Sequence, residues 1–282
     1  MPTALVRASF TLRLLQSTDS HSIGEAFLGK WFTETGRRPD IFLATKFGGL
    51  DLSADVTKGQ NKWVPNSKPS YIRRQVQNSL SDLKTDHIDL YYQHRVDPNV
   101  PIEVVLETLR PYVESGQIRW LGLSECSAAT LRRARAVSGV GEKVVAVQME
   151  FSPFELGIEK SGFVEAVNEA GVSVVAYSPL ARGLVSGRYV PSLFWILFGN
   201  LDTHCVFCIL YLGRYHSPSD FDEDDARKFL PRFSETNFAK NLEIVEKIKT
   251  VADKCNATTS QVALAWILAE HPNCSFLILF IL

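Results

Sequence analysis

An α/β fold, a parallel sheet with helical crossovers, is what this sequence predicts, and three observations point to it. Short apolar runs alternate with amphipathic stretches from Ile41 to Tyr177. The runs are rich in β-branched and aromatic residues, as buried parallel strands tend to be, while the intervening stretches repeat apolar residues every three or four positions. No Gly-x-Gly-x-x-Gly follows any of the runs, which counts against an ordinary doubly wound dinucleotide-binding fold. At 282 residues the chain has room for one large α/β barrel or for two ordinary domains.

The strand candidates, in order, are Ile41-Phe-Leu-Ala-Thr-Lys46, Ile88-Asp-Leu-Tyr-Tyr-Gln93, Arg119-Trp-Leu-Gly-Leu123, Val144-Val-Ala-Val-Gln148 and Val172-Ser-Val-Val-Ala-Tyr177. Between the first two, Ile72, Val76, Leu80 and Leu83 mark one helical face, with Pro69 at its start. Ile102, Val105, Leu106, Leu109 and Val113 mark another, with Asn99 before it, Gly116 after it and Pro111 as an expected kink. Further on, Phe238, Leu242, Val245, Ile248 and Val251 form a third stripe. Val262, Ala263, Trp266 and Ile267 form a fourth, after Thr258-Thr-Ser260. The strand-to-helix joints carry Lys46, His94, Ser124, Gln148 and Tyr177. In a barrel all such joints lie on one face, where sites are built.

Composition narrows the function classes. The formal net charge of −1 gives no basic field to attract nucleic acid or an anionic membrane. Five scattered cysteines, an odd number, suggest no disulfide framework and favour a reducing, cytoplasmic setting. Cys205-x-x-Cys208 lacks the further ligands of a zinc site, so no metal is expected. Arg7 and Arg13 interrupt the N-terminal apolar residues before a signal-peptide core can form.

Several stretches together resemble the aldo-keto reductase family. They are Leu28-Gly-Lys-Trp-Phe32 with Ile41-Phe-Leu-Ala-Thr-Lys-Phe-Gly48, Asp86-His-Ile-Asp-Leu-Tyr-Tyr-Gln-His-Arg95, Gly122-Leu-Ser-Glu125, Val147-Gln-Met-Glu150 and Ala176-Tyr-Ser-Pro-Leu-Ala-Arg-Gly183. They are similar to the family's third to seventh strand regions, and the likeness covers roughly residues 22–189 and 214–272. Within the family the chain is most like the fungal and plant branch that reduces small aldehydes such as pyridoxal. The resemblance implies a single (β/α)8 TIM-type barrel domain over residues 1–282, incomplete at its first and eighth strands. It also implies reduction of an aldehyde or ketone by NADPH.

Such a reaction needs hydride at carbon and a proton at oxygen, which the family supplies from a Tyr tuned by a Lys and an Asp, with a His orienting the carbonyl. Lys46 matches the family Lys and His94 the family His. Ser124 and Gln148 are implied to bond the nicotinamide carboxamide, Tyr177 to stack on its ring, and Ser178, Leu180 and Gly183 to line the pyrophosphate. Taken singly, a lysine that ends a strand is usually a solvated, snorkelling residue. A tyrosine there is more often a core aromatic.

The chain departs from the family pattern at three places. Counting back from Leu28, His21 falls at the family Tyr position and Gln16 at the family Asp position. An imidazolium can still donate a proton near neutral pH. Residues 190–213 form an apolar insert with neither helical nor strand period. Its length suits a membrane span, but Asn200, Asp202 and His204 would sit near the bilayer centre at high cost. Residues 274–282 form an apolar tail in place of the loop that grips the adenosine 2′-phosphate. These breaks predict either a weakened reductase, a nicotinamide-nucleotide-binding barrel without turnover, or misjoined exons.

Overall fold

The structure, a computed structural model, describes residues 23–49, 64–185, 217–221, 223, 225–272 and 274–276. Gln16, His21, the insert 190–213 and the tail beyond residue 276 fall outside the described residues. The chain divides into two compact units. The first comprises Met1–Met149, Ile158–Val175 and Ser275–Leu282, and the second Glu150–Gly157 and Ala176–Cys274.

Six strands join one sheet in chain order: β1 (Ala44–Phe47), β2 (Ile88–Gln93), β3 (Ile118–Ser124), β4 (Val144–Glu150), β5 (Ser173–Tyr177) and β6 (Cys274–Phe276). From β1 to β4 the pairing is parallel. Parallel neighbours in sequential order, each joined to the next by a helical crossover, are the topology of the (β/α)8 class. The described helices are α1 (Ile23–Thr35), α2 (Pro69–Asp82), α3 (Ile102–Glu114), α4 (Ala128–Arg135), the single turn α5 (Gly157–Lys160), α6 (Phe163–Ala170), α7 (Glu235–Lys254) and α8 (Thr259–Glu270).

Local chemistry sets the helix ends. Pro69 occupies the first turn of α2, where its missing N–H costs nothing, and the helix buries Ile72, Val76 and Leu80 as its periodicity requires. Asn99 does not cap α3: its N–H donates to Asp97 Oδ1 at 2.9 Å in a turn, and Pro101 takes the cap position. Pro111 sits in the last turn of α3, leaving the Glu107 carbonyl without its helical donor. Ser127 starts α4 by accepting from the Thr130 N–H at 3.1 Å. Thr258 and Gln261 form a reciprocal capping box at the start of α8.

Strand β1 departs most from its sequence expectation. The ladder of β1 begins at Ala44 rather than Ile41. The Leu43 N–H is taken by the Asp89 carboxylate at 2.9 Å, so a side chain replaces the ladder bond there. Among the described residues the chain's final strand is Cys274–Phe276, and the rest of the apolar tail lies outside them.

In the first unit, strand alternation sends Ala44, Leu90, Tyr92, Ala146 and Val175 into one buried cluster. Phe47 and Tyr91 stack at 5.2 Å on the opposite face of the sheet. Gly122 is required by the first cluster, because a Cβ there would lie 2.3 Å from the Tyr92 ring. In the second unit, Phe221, Phe233 and Phe238 pack edge to face or tilted, with Ala181, Leu184, Val185 and Ala263 around them. The Thr259 hydroxyl, at the start of α8, donates to the Val185 carbonyl at 2.6 Å.

Candidate active site

The two ends of the sheet in the first unit are built differently. At the strand amino ends, Asp89 is buried and fully engaged. Its Oδ2 accepts from Arg38 at 2.8 Å and its Oδ1 from Arg119 at 2.7 Å. Arg38 also donates to the Ile41 and His87 carbonyls and to the Thr85 hydroxyl. This end is a clamp between charged groups with matching donors and acceptors.

At the carboxyl ends the polar side chains stand in a row. Lys46 is the third residue of β1, and its Cα partner across the ladder is Tyr92. His94 follows β2 directly, fixed by its N–H donating to the Phe47 carbonyl at 2.8 Å. Ser124 ends β3 and pairs with Gln148 of β4. Counting by twos along each strand places Lys46, His94, Ser124 and Gln148 on the face that holds the Ala44–Leu90–Tyr92–Ala146 cluster. Lys46 and His94 are half-buried, while Ser124 and Gln148 are each 1% exposed.

The hydrogen bonding of this row is incomplete. Gln148 Nε2 is buried and finds no partner among the described residues, and neither does the Tyr92 hydroxyl beneath the row. Burial alone pushes the Tyr92 phenol up from its ordinary range. Among the described residues Ser124 receives only a long contact of 3.4 Å from Arg95. A buried amide donor without a partner is costly, on the order of 1–3 kcal/mol, unless a ligand satisfies it. A primary carboxamide, carrying one acceptor and two donors, fits the hydroxyl of Ser124 and the amide of Gln148.

Backbone strain gathers at the same strand ends. Glu125, just after β3, has φ +52°, and its N–H donates to the Gln148 carbonyl at 3.0 Å. In the second unit Tyr177 ends β5, and the turn beyond it is left-handed at Ser178 (φ +51°), Ala181 (φ +54°), Arg182 (φ +55°) and Gly183 (φ +95°). Non-glycine residues held in this region persist where surrounding contacts force them, commonly at ligand sites. Here the contacts are explicit. Glu150 accepts from Arg182 at 2.9 Å and lies 2.8 Å from Arg232, which fixes the Ser178–Gly183 turn within its unit.

The structure thus brings Lys46, His94, Ser124 and Gln148 to one end and one face of the sheet in the first unit. It places Tyr177, Ser178, Leu180 and Gly183 in one strained turn of the second. Sequence reasoning passed over Gly122 and Tyr92, although an isolated glycine inside a strand pattern is the usual sign of a close approach.

Ordered parallel strands with polar side chains at their carboxyl ends define a (β/α)8-class protein with its candidate site at that end. Residues 17–195 match the family described as Aldo/keto reductase family. The chain is 42% identical over 251 residues to the aldo-keto reductase str7 of Strobilurus tenacellus, a match covering 88% of this chain and 62% of that protein. It is 41% identical over 258 residues to the aldo-keto reductase yakc [NADP(+)] of Schizosaccharomyces pombe, covering 90% of this chain and 66% of that protein. It therefore spans a little under two thirds of the length of these relatives. Among solved structures, the glycerol dehydrogenase of Gluconobacter oxydans superposes with a TM-score of 0.68 at 25% identity, over 89% of this chain and 66% of that one. A thermostable aldo-keto reductase at 23% identity, with a TM-score of 0.59, shares the fold over 90% of this chain and 65% of its own. This chain belongs to the aldo-keto reductase family.

Proposed function

We propose that the chain is an oxidoreductase that reduces the carbonyl of a small aldehyde or ketone to an alcohol, with NADPH as cofactor. The observation that carries this reading is the row at the strand carboxyl ends: an ammonium, an imidazole, a hydroxyl and a buried amide with an unused donor. NADP(+) in the name of the Schizosaccharomyces pombe relative supports the choice of nucleotide. The cofactor, when bound, supplies the hydride. In the first unit Ser124 and Gln148 hold its carboxamide, His94 orients the carbonyl and Lys46 places positive charge beside the oxygen where negative charge develops. In the second unit, on the family motif alone, Tyr177 is assigned to ring stacking and Ser178, Leu180 and Gly183 to pyrophosphate contact. The substrate proposed is a small aldehyde of the pyridoxal type, in a reducing cytoplasm. The domain arrangement proposed is one barrel over 1–282 carrying the insert 190–213 and the tail 274–282. Among the described residues no helix is long and apolar enough to cross a membrane.

The proton is assigned to His21, with Gln16 in place of a carboxylate that would tune Lys46. General acid catalysis contributes roughly 10²–10⁴ in rate, so this pair sets the scale of turnover. The test is NADPH oxidation with an aromatic aldehyde by the chain as given and by the double variant Gln16→Asp with His21→Tyr. A rise of at least about tenfold in kcat supports the reading. A folded double variant that is no faster overturns the assignment of those two positions. The same two residues favour a second reading, a barrel that binds nicotinamide nucleotide without turnover. Quenching of protein fluorescence by NADPH, with no oxidation by any aldehyde, would establish it.

A further inference from the structure

We propose that Glu25 is a positioning residue for Lys46, holding the short strand β1 through the Thr45 hydroxyl. The proposal rests on the reading of Lys46 as part of a carbonyl-reducing site.

Strand β1 has four residues and, among the described residues, hydrogen-bonds along one side only, to β2. A strand so short, held from one side, leaves the direction of its side chains weakly determined. Thr45 and Lys46 are neighbours that point to opposite faces, so fixing one fixes the roll of the strand for the other. Thr45 is fixed by a long-range contact: its hydroxyl donates to Glu25 Oε1 at 2.6 Å, and both side chains are 2% exposed. A hydroxyl–carboxyl bond of this length in a buried setting is directional and costly to leave unmade.

Glu25 can hold Thr45 because its own helix is immobilised. Gly29, one turn further along α1, meets the end of α2 so closely that a Cβ there would lie 2.0 Å from the Asp82 carbonyl oxygen. The Glu25 carboxyl also faces Ser79 of α2, a residue with no exposure. The close packing of α1 on α2 therefore holds the carboxyl group in place, and the carboxyl group braces the strand. Burying an acid in this way is costly, since removal from water raises Glu25 above the ordinary carboxylate range against the pull of Thr45 and Ser79. An apolar residue would pack α1 onto the sheet without that cost. What an apolar residue would not supply is a directional bond to the residue beside Lys46. The sequence adds one further link: α1 begins two residues after His21, so the same clasp ties the lysine strand to the helix that follows the proposed proton donor.

The test compares Glu25→Ala, Thr45→Val and their combination with the conservative changes Glu25→Gln and Thr45→Ser, all in the full chain. The readouts are kcat and KM for benzaldehyde, NADPH affinity by fluorescence, and Tm. Positioning predicts that kcat falls at least about tenfold in Glu25→Ala and in Thr45→Val, while NADPH affinity stays within about twofold. The double variant should be no worse than either single one, because both remove the same bond. Glu25→Gln and Thr45→Ser, which keep an acceptor and a hydroxyl, should recover kcat to within about threefold of the parent. If Glu25→Ala does not fold, Thr45→Val decides, since it removes only a hydroxyl. Folded variants with kcat within about twofold of the parent overturn the proposal, as does a parallel fall of kcat, NADPH affinity and Tm. A parent chain that binds NADPH but reduces no carbonyl overturns the functional reading, and this proposal with it.

Discussion

The amino and carboxyl ends of the same four strands meet opposite standards of hydrogen bonding. At the amino ends Asp89 sits between Arg38 and Arg119, with a backbone N–H on the same carboxylate. At the carboxyl ends Gln148 keeps a buried donor with no partner among the described residues, and Ser124 has only a long contact. Asp89, Ser124 and Gln148 are all nearly fully buried, so exposure does not explain the difference. The amino end is complete without anything bound, whereas on the proposed function the nicotinamide carboxamide completes the carboxyl end. A sheet can thus separate stability from binding along the strand direction, a distance of four or five residues.

The comparison breaks most sharply through Asp89. Replacing it with Ala leaves two guanidinium groups facing each other, Arg38 half-buried and Arg119 more exposed, and should cost about 3 kcal/mol measured by urea unfolding. A loss below about 1 kcal/mol would mean that solvent already screens the clamp. The opposite behaviour is expected at the other end. Lys46→Met should lower kcat/KM at least about 100-fold in steady-state aldehyde reduction while moving Tm by less than about 2 °C. A large fall in Tm would instead make Lys46 part of the scaffold.

These two ends were unequally legible in the sequence. The carboxyl-end row was readable because each member ends a strand candidate, and strand ends survive small errors in strand limits: β2 spans the residues its pattern marked, and β3 and β4 extend theirs by one or two. The clamp was not readable, because it joins residues 38, 89 and 119, and nothing local in any of the three segments signals the others. The same holds for Glu25 and Thr45, whose buried bond spans twenty positions of sequence. Helix faces were legible from periodicity, whereas the start of α3 was not: Asn99 has the chemistry of a cap but spends its backbone on an Asp97 turn. Gln16 and His21 were placed by counting from a motif, and they lie outside the described residues.

Two smaller effects sharpen the contrast. Gln148→Leu removes the unused donor, so the free protein should keep its stability or gain up to about 1 kcal/mol. NADPH affinity should fall about tenfold, measured by fluorescence titration. A matching loss of stability in the free protein would show that the amide is already satisfied. The smallest effect concerns pH. The Glu25 carboxyl, facing Thr45, Ser79, Asp82 and Tyr91, is raised above its ordinary 4.5 by burial. Its folded form therefore holds a proton more tightly than its unfolded form, and that contribution to stability is present below pH 4.5 and is lost as pH rises through the raised value. The Tm of Glu25→Gln relative to the parent should increase from pH 4.5 upwards, and a flat difference would mean the carboxyl is not perturbed.

The contact between Gly122 and Tyr92 carries a consequence for how this sheet can change over time. With the ring in place no side chain fits at position 122, and without the ring the cluster of Ala44, Leu90, Ala146 and Val175 loses its largest member. Neither position can drift alone. A lineage that shortens Tyr92 first opens a hole, and one that enlarges Gly122 first drives a methyl into an aromatic ring. The two sites should covary across descendants of this barrel, exchanging bulk between adjacent strands directly beneath the row of polar residues.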